Sequence, residues 1–338
     1  MSEVSDSGVA WTIVGQGLAG SCLAWELWRR GVDFQMVDRE CGLAASRVAA
    51  GLVNPVTGKN FEPSPMIGDF LPEALEFYRW IEENLGVALW HPMPIMRLAG
   101  NDDEWAKMRA KAARADVEVW VGRELAKQEI DGWLGGFEIS GGGRFDVVSF
   151  VDRSREFFQT QGIYRKDEIR FDRHEMARVW CDGAAGLVSG RHGEARCAKG
   201  EILTVRAEGW DETRIRVGAG GWLVPLGEGC FKLGSTYEWD RLDMEPSKAG
   251  LERLRSLATK LGGADYHILA QEAGVRPILR RSEPLIGPME AGGWMFNGLG
   301  SKGSLYAPGM ARRLASWMLD GKGPEEHFDI RRFMGNRA

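Results

Sequence analysis

The sequence predicts a two-part α/β protein, in which a doubly wound domain assembled from separated stretches of chain is interleaved with an α+β domain on an antiparallel sheet. Three observations predict it. A strand, a glycine turn, a helix and a second strand follow one another up to Asp38. Strand segments of the same kind recur near the middle and the end. Between them lies a run of short strands separated by Gly, Pro and Asp.

Val9 to Val14 is a short apolar, β-branched run and reads as a buried strand. After the glycine turn, Leu18 to Arg30 reads as a helix stopped at Gly31, with Arg29 and Arg30 in the last turn where cations suit the dipole. Asp33 to Asp38 is the second strand and completes a Rossmann-like βαβ unit. Ala44 to Lys59, rich in Gly, Ala, Asn and Pro, is expected as a long loop. From Met66 to Gly86 the apolar residues Phe70, Leu71, Ala74, Leu75, Tyr78, Ile81 and Leu85 recur at helical spacing. Asn101 to Ala115 and Ser149 to Gly162 are further helices, and Arg178 to Gly183 is a short strand ending in a turn. Glu201 to Ala207, Thr213 to Val217, Trp222 to Leu226 and Cys230 to Ser235 read as antiparallel strands. Pro246 to Leu261 is a helix with Leu251, Leu254 and Leu257 on one face. Trp294 to Asn297 is a strand, and Gly303 to Gly321 is a closing helix that tolerates Pro308 only near its first turn. The doubly wound domain is therefore expected to comprise residues 1–65, 145–190 and 275–338, and the second domain residues 66–144 and 191–274. There is no internal repeat or low-complexity segment.

Bulk properties narrow the partners. The 338 residues are 44% hydrophobic and 27% charged, an ordinary globular composition. The net charge is −5 with no basic patch, which argues against nucleic acid. No apolar run approaches membrane-spanning length. Met1 to Gly8 is polar and acidic and the apolar stretch after it is only strand-length, so no signal peptide is expected. The five cysteines, Cys22, Cys41, Cys181, Cys197 and Cys230, form no C-x-x-C pair and read as reduced thiols of a cytoplasmic protein. The 14 tryptophans read chiefly as core residues.

Gly15-Gln-Gly17-Leu18-Ala19-Gly20 is G-x-G-x-x-G between a strand and a helix, with Asp38 ending the next strand at the spacing expected of a dinucleotide fingerprint. Gly15 permits the tight turn, Gly17 lets the backbone approach a pyrophosphate, and Gly20 lets the helix close on the strand. The helix N-terminus offers N–H groups to the phosphates, and Asp38 can accept hydrogen bonds from ribose hydroxyls. The alternative is a plain glycine turn followed by an acidic surface residue. The fingerprint alone serves NAD and FAD equally.

Ala45-Ser46-Arg47-Val-Ala-Ala50-Gly51-Leu-Val-Asn-Pro55 resembles the flavin-contacting loop of the D-amino-acid oxidase and glycine oxidase superfamily. Gly274-Val-Arg276-Pro277 and Pro284-Leu-Ile-Gly-Pro288 are similar to its G-x-R-P and P-x-I-G segments. The loop Asn297-Gly298-Leu299-Gly300-Ser301-Lys302-Gly303, with Leu305 to Pro308, resembles its last glycine loop and helix start. The middle strand with Gly183 resembles its second nucleotide-domain segment. The blocks span most of the chain, most weakly from Leu71 to Ile139, and the early ones also look like the oxidase domain of a bifunctional tRNA-modifying enzyme. The resemblance implies FAD as the cofactor and an FAD-binding Rossmann-like domain. The expected cofactor contacts are the fingerprint residues Gly15, Gly17, Leu18, Ala19 and Gly20, Asp38 and Arg39 after it, Ser46, Arg47, Ala50 and Gly51 in the early loop, Gly183, and the loop from Asn297 to Gly303.

It also implies chemistry. With one fingerprint and no second nucleotide site, a small substrate is expected to reduce the flavin directly by hydride transfer, and either oxygen or an electron carrier to reoxidise it. In the family the arginine of G-x-R-P binds the substrate carboxylate, a task that suits a guanidinium fork. Arg276 takes that part here, the alternative being an ion pair with Glu272. Lys302 either faces the flavin pyrimidine edge or is a solvated loop lysine. Tyr237 either lines the pocket or ends an exposed strand. In glycine-oxidase-like members a tyrosine before an apolar-Val-Pro run helps hold the carboxylate; the matching run is Trp222-Leu-Val-Pro225, so Trp222 replaces it and small substrates such as glycine and sarcosine are expected to fit poorly. His91, His174, His192, His267 and His327 have no metal-ligand spacing, and no metal is expected. Neither a G-x-S-x-G elbow nor a Walker loop is present. The expected activity is oxidation of a small amine or amino acid. Oxidation of a 2-hydroxy acid, or a flavin-binding partner subunit without turnover of its own, are the alternatives.

Overall fold

A computed structural model of the chain describes residues 11–40, 45–170, 177–190, 192, 195–279 and 283–334. Met1 to Ala10, which include the start of the first expected strand, lie outside the described residues, as do Cys41, Ala44 and His174.

The opening unit forms as its sequence dictates, with strand Trp11–Val14, helix Leu18–Arg29 and strand Phe34–Asp38. These strands belong to a six-stranded sheet in the order Tyr164–Lys166, Phe34–Asp38, Trp11–Val14, Arg178–Trp180, Trp294–Asn297, Leu285–Pro288. The first five run parallel and the last is an antiparallel edge. Early, middle and late parts of the chain thus share one sheet. Parallel neighbours need long crossovers, and the intervening chain supplies them. Helices Leu18–Arg29, Val147–Thr160 and Gly303–Asp320 bury their apolar faces in the core on this sheet. Helix Ile67–Leu85 lies beyond residue 65, yet Phe70, Leu71, Ala74, Phe77, Tyr78 and Ile81 join the same core.

The second sheet has eight strands in the order His267–Arg276, Ala198–Arg206, Cys230–Gly234, Gly221–Gly227, Ile215–Gly218, Ile95–Ala99, Gly135–Ile139, Val121–Glu124. Four of them were expected; the strands at both ends of the list were not. The sheet also departs from a purely antiparallel one, because Ile95–Ala99 and Ile215–Gly218 run parallel. These two come from distant parts of the chain with no hairpin between them, so nothing local forces them antiparallel. Helix Lys248–Leu261 covers one face of the sheet with Leu254, Leu257, Ala258 and Leu261. The expected loop from Ala44 holds a short helix, Ala45–Val48, and short strands at Leu52–Val53 and Val56–Thr57. The helix expected over Asn101 to Ala115 is Asp102–Ala112, capped by the Asn101 side chain, with Ala115–Glu118 as a separate turn.

Pro308 falls in the second turn of helix Gly303–Asp320, one turn later than expected. A proline there donates no hydrogen bond to the carbonyl of Ser304. The hydroxyl of Tyr78, fully buried on helix Ile67–Leu85, donates to that carbonyl instead. Among the described residues no helix is long and apolar enough to cross a membrane. Tyr78→Phe leaves the Ser304 carbonyl unpaired in the core and is expected to lower the unfolding free energy by about 1–3 kcal/mol, read from denaturant midpoints at constant slope.

Candidate functional site

A cavity of about 1180 Å³ opens between the two sheets. That exceeds the roughly 300–1,000 Å³ of an ordinary small-molecule pocket and suits an extended ligand with a second molecule beside it. Every residue proposed above as a site residue lines it, except Gly20 and Gly298. Those two are packing residues. A Cβ on Gly20 would stand 1.9 Å from the Gly15 carbonyl oxygen, and one on Gly298 would stand 2.5 Å from the Leu279 side chain.

At one end lies the glycine turn. Gly15 holds φ of +103°, a left-handed conformation, against the carbonyl of Cys181. Asp38 fixes this turn from the next strand. Its Oδ2 accepts the Gln16 N–H at 2.6 Å and its Oδ1 accepts the Glu40 N–H at 2.5 Å. The Leu18 N–H donates to Ser46 Oγ at 3.0 Å, which ties the helix start to the Ala45–Val48 turn. A Cβ on Gly17 would meet that same hydroxyl at 3.3 Å. Arg47 pairs with Asp152, and Arg39 lies 3.8 Å from Glu168.

Sequence reasoning missed Gln16, Arg155 and Glu40 as members of this end, and all three line the cavity. Gln16 Oε1 accepts from Arg155 Nε at 3.1 Å and Nη2 at 2.9 Å. Glu40, at φ of +52°, accepts from Tyr164 and pairs with Lys166. Those two contacts hold its carboxyl below the usual range.

The last glycine loop meets the middle strand through Asn297. Its Nδ2 donates to Asp182 Oδ1 and to the Gly183 carbonyl, both at 3.0 Å, and the buried His192 reaches the same carboxylate oxygen at 2.9 Å. The Gly300 N–H donates to the Pro277 carbonyl at 2.9 Å, so this loop is anchored to the G-x-R-P segment. Lys302 is the N-cap of the closing helix. Burial pushes its ammonium below the usual lysine range, with Glu283 acting the other way, so it is not a freely solvated lysine.

Arg276 ends the strand His267–Arg276 on the cavity wall. Its Nη2 donates to Ser235 Oγ at 2.6 Å and to the Thr236 carbonyl at 3.3 Å, and its Cζ lies 4.1 Å from the Tyr237 ring centre. Nη1 is buried without a hydrogen-bond partner. Glu272 does not pair with it, and no described carboxylate lies within ion-pair distance. The side chains of the strand Ala198–Arg206 alternate, so Gly200 presents a bare Cα toward this guanidinium: a Cβ there would stand 2.0 Å from Nη2. Its neighbours hold the segment that carries Ser235, Thr236 and Tyr237. Buried Lys199 exchanges backbone bonds with Glu238 and donates Nζ to Asp243 Oδ1 and the Glu245 carbonyl, each at 2.6 Å. Glu201 accepts from Ser247 Oγ at 2.7 Å and from Gln271 at 2.6 Å. A glycine inside a strand marks such a close approach, but the strand was expected to begin only at Glu201, which left Gly200 outside it. Trp222 lies across from Gly234, where a Cβ would meet its ring at 2.8 Å. Tyr237 is 45% exposed yet lines the cavity, so it stands at the rim. No group of three His, Cys, Asp or Glu among the described residues could hold a metal.

Comparison with known proteins places this geometry. A family model described as FAD dependent oxidoreductase matches residues 10–317. The chain is 25% identical to a glycine oxidase of Pseudomonas aeruginosa over 92% of this chain and 95% of that protein. It is 25% identical to a tRNA 5-methylaminomethyl-2-thiouridine biosynthesis bifunctional protein of Burkholderia mallei, over 82% of this chain but 48% of that longer protein. Among solved structures, a glycine oxidase from Bacillus cereus shares the fold at a TM-score of 0.80 and 18% identity, covering 95% of this chain and 97% of that one. An iminodiacetate oxidase from Chelativorans does so at 0.76 and 19%, covering 94% and 98%.

The residues present fit FAD. The start of helix Leu18–Arg29 has no capping side chain on its Gly17 N-cap, and the glycine turn carries no bulk where a diphosphate would approach. Because Asp38 fixes that turn through two backbone N–H groups, Asp38→Ala is expected to weaken FAD binding by about 1–3 kcal/mol, measured by titrating the apoprotein with FAD. With the family model matched over more than nine-tenths of its length, the chain belongs to the FAD-dependent oxidoreductase family, and it is an enzyme whose cofactor is FAD.

Proposed function

We propose that this enzyme oxidises a small amine or amino acid, and that Arg276 anchors the substrate carboxylate. The observation that carries this reading is the buried, unpartnered Nη1 of Arg276 on the cavity wall. A buried cation without an acid is costly. A substrate carboxylate would supply the missing charge and a charge-assisted hydrogen bond to Nη1. The names of the relatives point the same way, since glycine oxidase and iminodiacetate oxidase are each named for a nitrogen-bearing carboxylate substrate.

Bound FAD supplies a hydride acceptor and gathers negative charge at its pyrimidine edge. In this reading the N–H groups of Gly17 and Ala19 face the diphosphate, while Leu18, whose own N–H is taken by Ser46 Oγ, lines the cavity between them. Asp38 and Arg39 attend the ribose, and Ser46, Arg47, Ala50 and Gly51 line the flavin. Gly183 and the loop from Asn297 to Gly303 complete the site. Lys302 would bring an ammonium to the charge-gathering edge. Tyr237 lies against the Arg276 guanidinium and steadies it as a cation–π partner. Trp222 contributes an indole face, which favours a larger or more apolar amine over glycine or sarcosine.

Anaerobic mixing of the flavoprotein with amines, amino acids and 2-hydroxy acids tests the reading. Bleaching of the oxidised flavin band by an amine or amino acid is the expected result. Bleaching by a 2-hydroxy acid alone would make the enzyme a hydroxy-acid dehydrogenase, and no bleaching at all would point to a flavin-binding partner subunit. Arg276→Leu is expected to cost roughly 3 kcal/mol in the apparent KM of a carboxylate substrate while FAD stays bound. Gly200→Ala pushes a methyl into the guanidinium and is expected to show the same pattern in weaker form.

A further inference from the structure

The eight-stranded sheet carries a second arginine on the cavity wall. Strand pairing sets Arg97, Val217, Trp222, Gly234, Ile202 and Glu272 in one row across six strands. Paired residues on neighbouring strands share a face, and so do residues two apart on one strand. Gly200, Gly274 and Arg276 therefore lie on the same face as Arg97. The cavity follows that face, because Arg97, Val217, Trp222, Ile202, Gly200, Gly274 and Arg276 all line it. It runs from one arginine to the other. Five strand spacings separate the outer strands of the row, about 24 Å along the sheet, and the two long side chains close part of that gap.

Arg97 resembles Arg276 in its electrostatics. Its Nη2 donates to the Gly58 carbonyl at 3.1 Å and its Nη1 to the Val217 carbonyl at 3.4 Å, while Nε is buried without a partner. Carbonyls place the guanidinium but leave it without an ion-pair contact, the Glu104 carboxylate on the same cavity wall acting only from beyond that distance. Among the described residues no carboxylate lies within ion-pair distance of it. Glu104 is the acid that acts on it, and Glu104 accepts the Gly100 N–H at 3.0 Å. Burial pushes Arg97 below the usual arginine range. Exposed Lys59 lines the same cavity. Arg216 is held similarly, by the Leu261 carbonyl at 2.8 Å, but does not line the cavity; being unpaired is common to both, and the cavity wall sets Arg97 apart.

We propose that Arg97 forms a second anion subsite, and that the substrate is an elongated amine or amino acid with an anionic group at the end remote from the carboxylate held by Arg276. This rests on the reading of Arg276 as the carboxylate anchor. The sheet face between the arginines, with Val217, Trp222 and Ile202, suits an apolar or aromatic spacer.

The test uses the FAD-loaded enzyme and non-reacting probes: straight-chain monocarboxylates, and α,ω-dicarboxylates from succinate to sebacate, titrated by their perturbation of the flavin spectrum. The expected result is a long dicarboxylate that binds about tenfold or more tightly than the monocarboxylate of equal length, the scale of one charge-assisted contact. Arg97→Met should abolish that advantage and leave monocarboxylate binding and FAD content unchanged, and Arg97→Lys should restore part of it. Equal affinity of the two series in the wild type, an advantage that survives Arg97→Met, or loss of FAD from that variant would each overturn the subsite. If monocarboxylates themselves fail to bind, or bind equally well to Arg276→Leu, the anchor reading fails first and takes the subsite with it.

Discussion

A guanidinium taken out of water must be compensated, and Arg276 is compensated only in part. Its contacts are a hydroxyl, a carbonyl and an aromatic ring. None of these carries a full negative charge, so the side chain keeps a binding capacity that an ion pair would have consumed. The surrounding chain is arranged to make this tolerable. Gly200 gives up its side chain so that the guanidinium can lie against the strand. Lys199 and Glu201, pointing to the opposite face, spend their own charges on holding the segment from Thr236 to Ser247 in place. One Lys-Gly-Glu stretch thus seats the arginine and fastens the residues that touch it.

The same arginine sits where the two sheets are joined. The G-x-R-P segment leaves the large sheet at Arg276, and the Pro277 carbonyl accepts the N–H of Gly300 in the last glycine loop. That loop is bound in turn to the middle strand through Asn297 and Asp182. At the other end of the cavity Asp38 and Ser46 fix the helix start. The Arg276 wall and the glycine turn are therefore held in one cavity by a backbone contact at Pro277 and by short, buried or part-buried side chains, Asn297, Asp38 and Ser46. Fixed relative positions of this kind are what a reaction between two bound molecules requires of a protein.

The nucleotide end of the site was legible because its signals are local. A glycine with positive φ, a helix start and an acid at the end of the next strand all follow within one βαβ unit, so Gly15 to Gly20 and Asp38 could be read directly. Arg276 and Lys302 were legible through the motifs that carry them. The strands His267–Arg276 and Ile95–Ala99 were not, because the first mixes polar and apolar residues without alternation and the second is short. Arg97 and Gly200 gain their meaning only from register, which pairs them with residues far along the chain, Val217 and Gly274. Pro308 shows the same limit. The sequence marks it as unfavourable beyond the first turn, and only the packed structure brings Tyr78 to the carbonyl it leaves free.

The central claim is that Nη1 of Arg276, the one buried nitrogen of the guanidinium without a protein acceptor, takes a carboxylate. A crystal structure of the FAD-loaded enzyme with a small carboxylate inhibitor such as benzoate tests it most directly. The account predicts the inhibitor carboxylate within hydrogen-bond distance of Nη1 of Arg276, with Ser235 still bound to Nη2. A carboxylate seated elsewhere in the cavity, with Nη1 bonded to a protein acceptor, would contradict it.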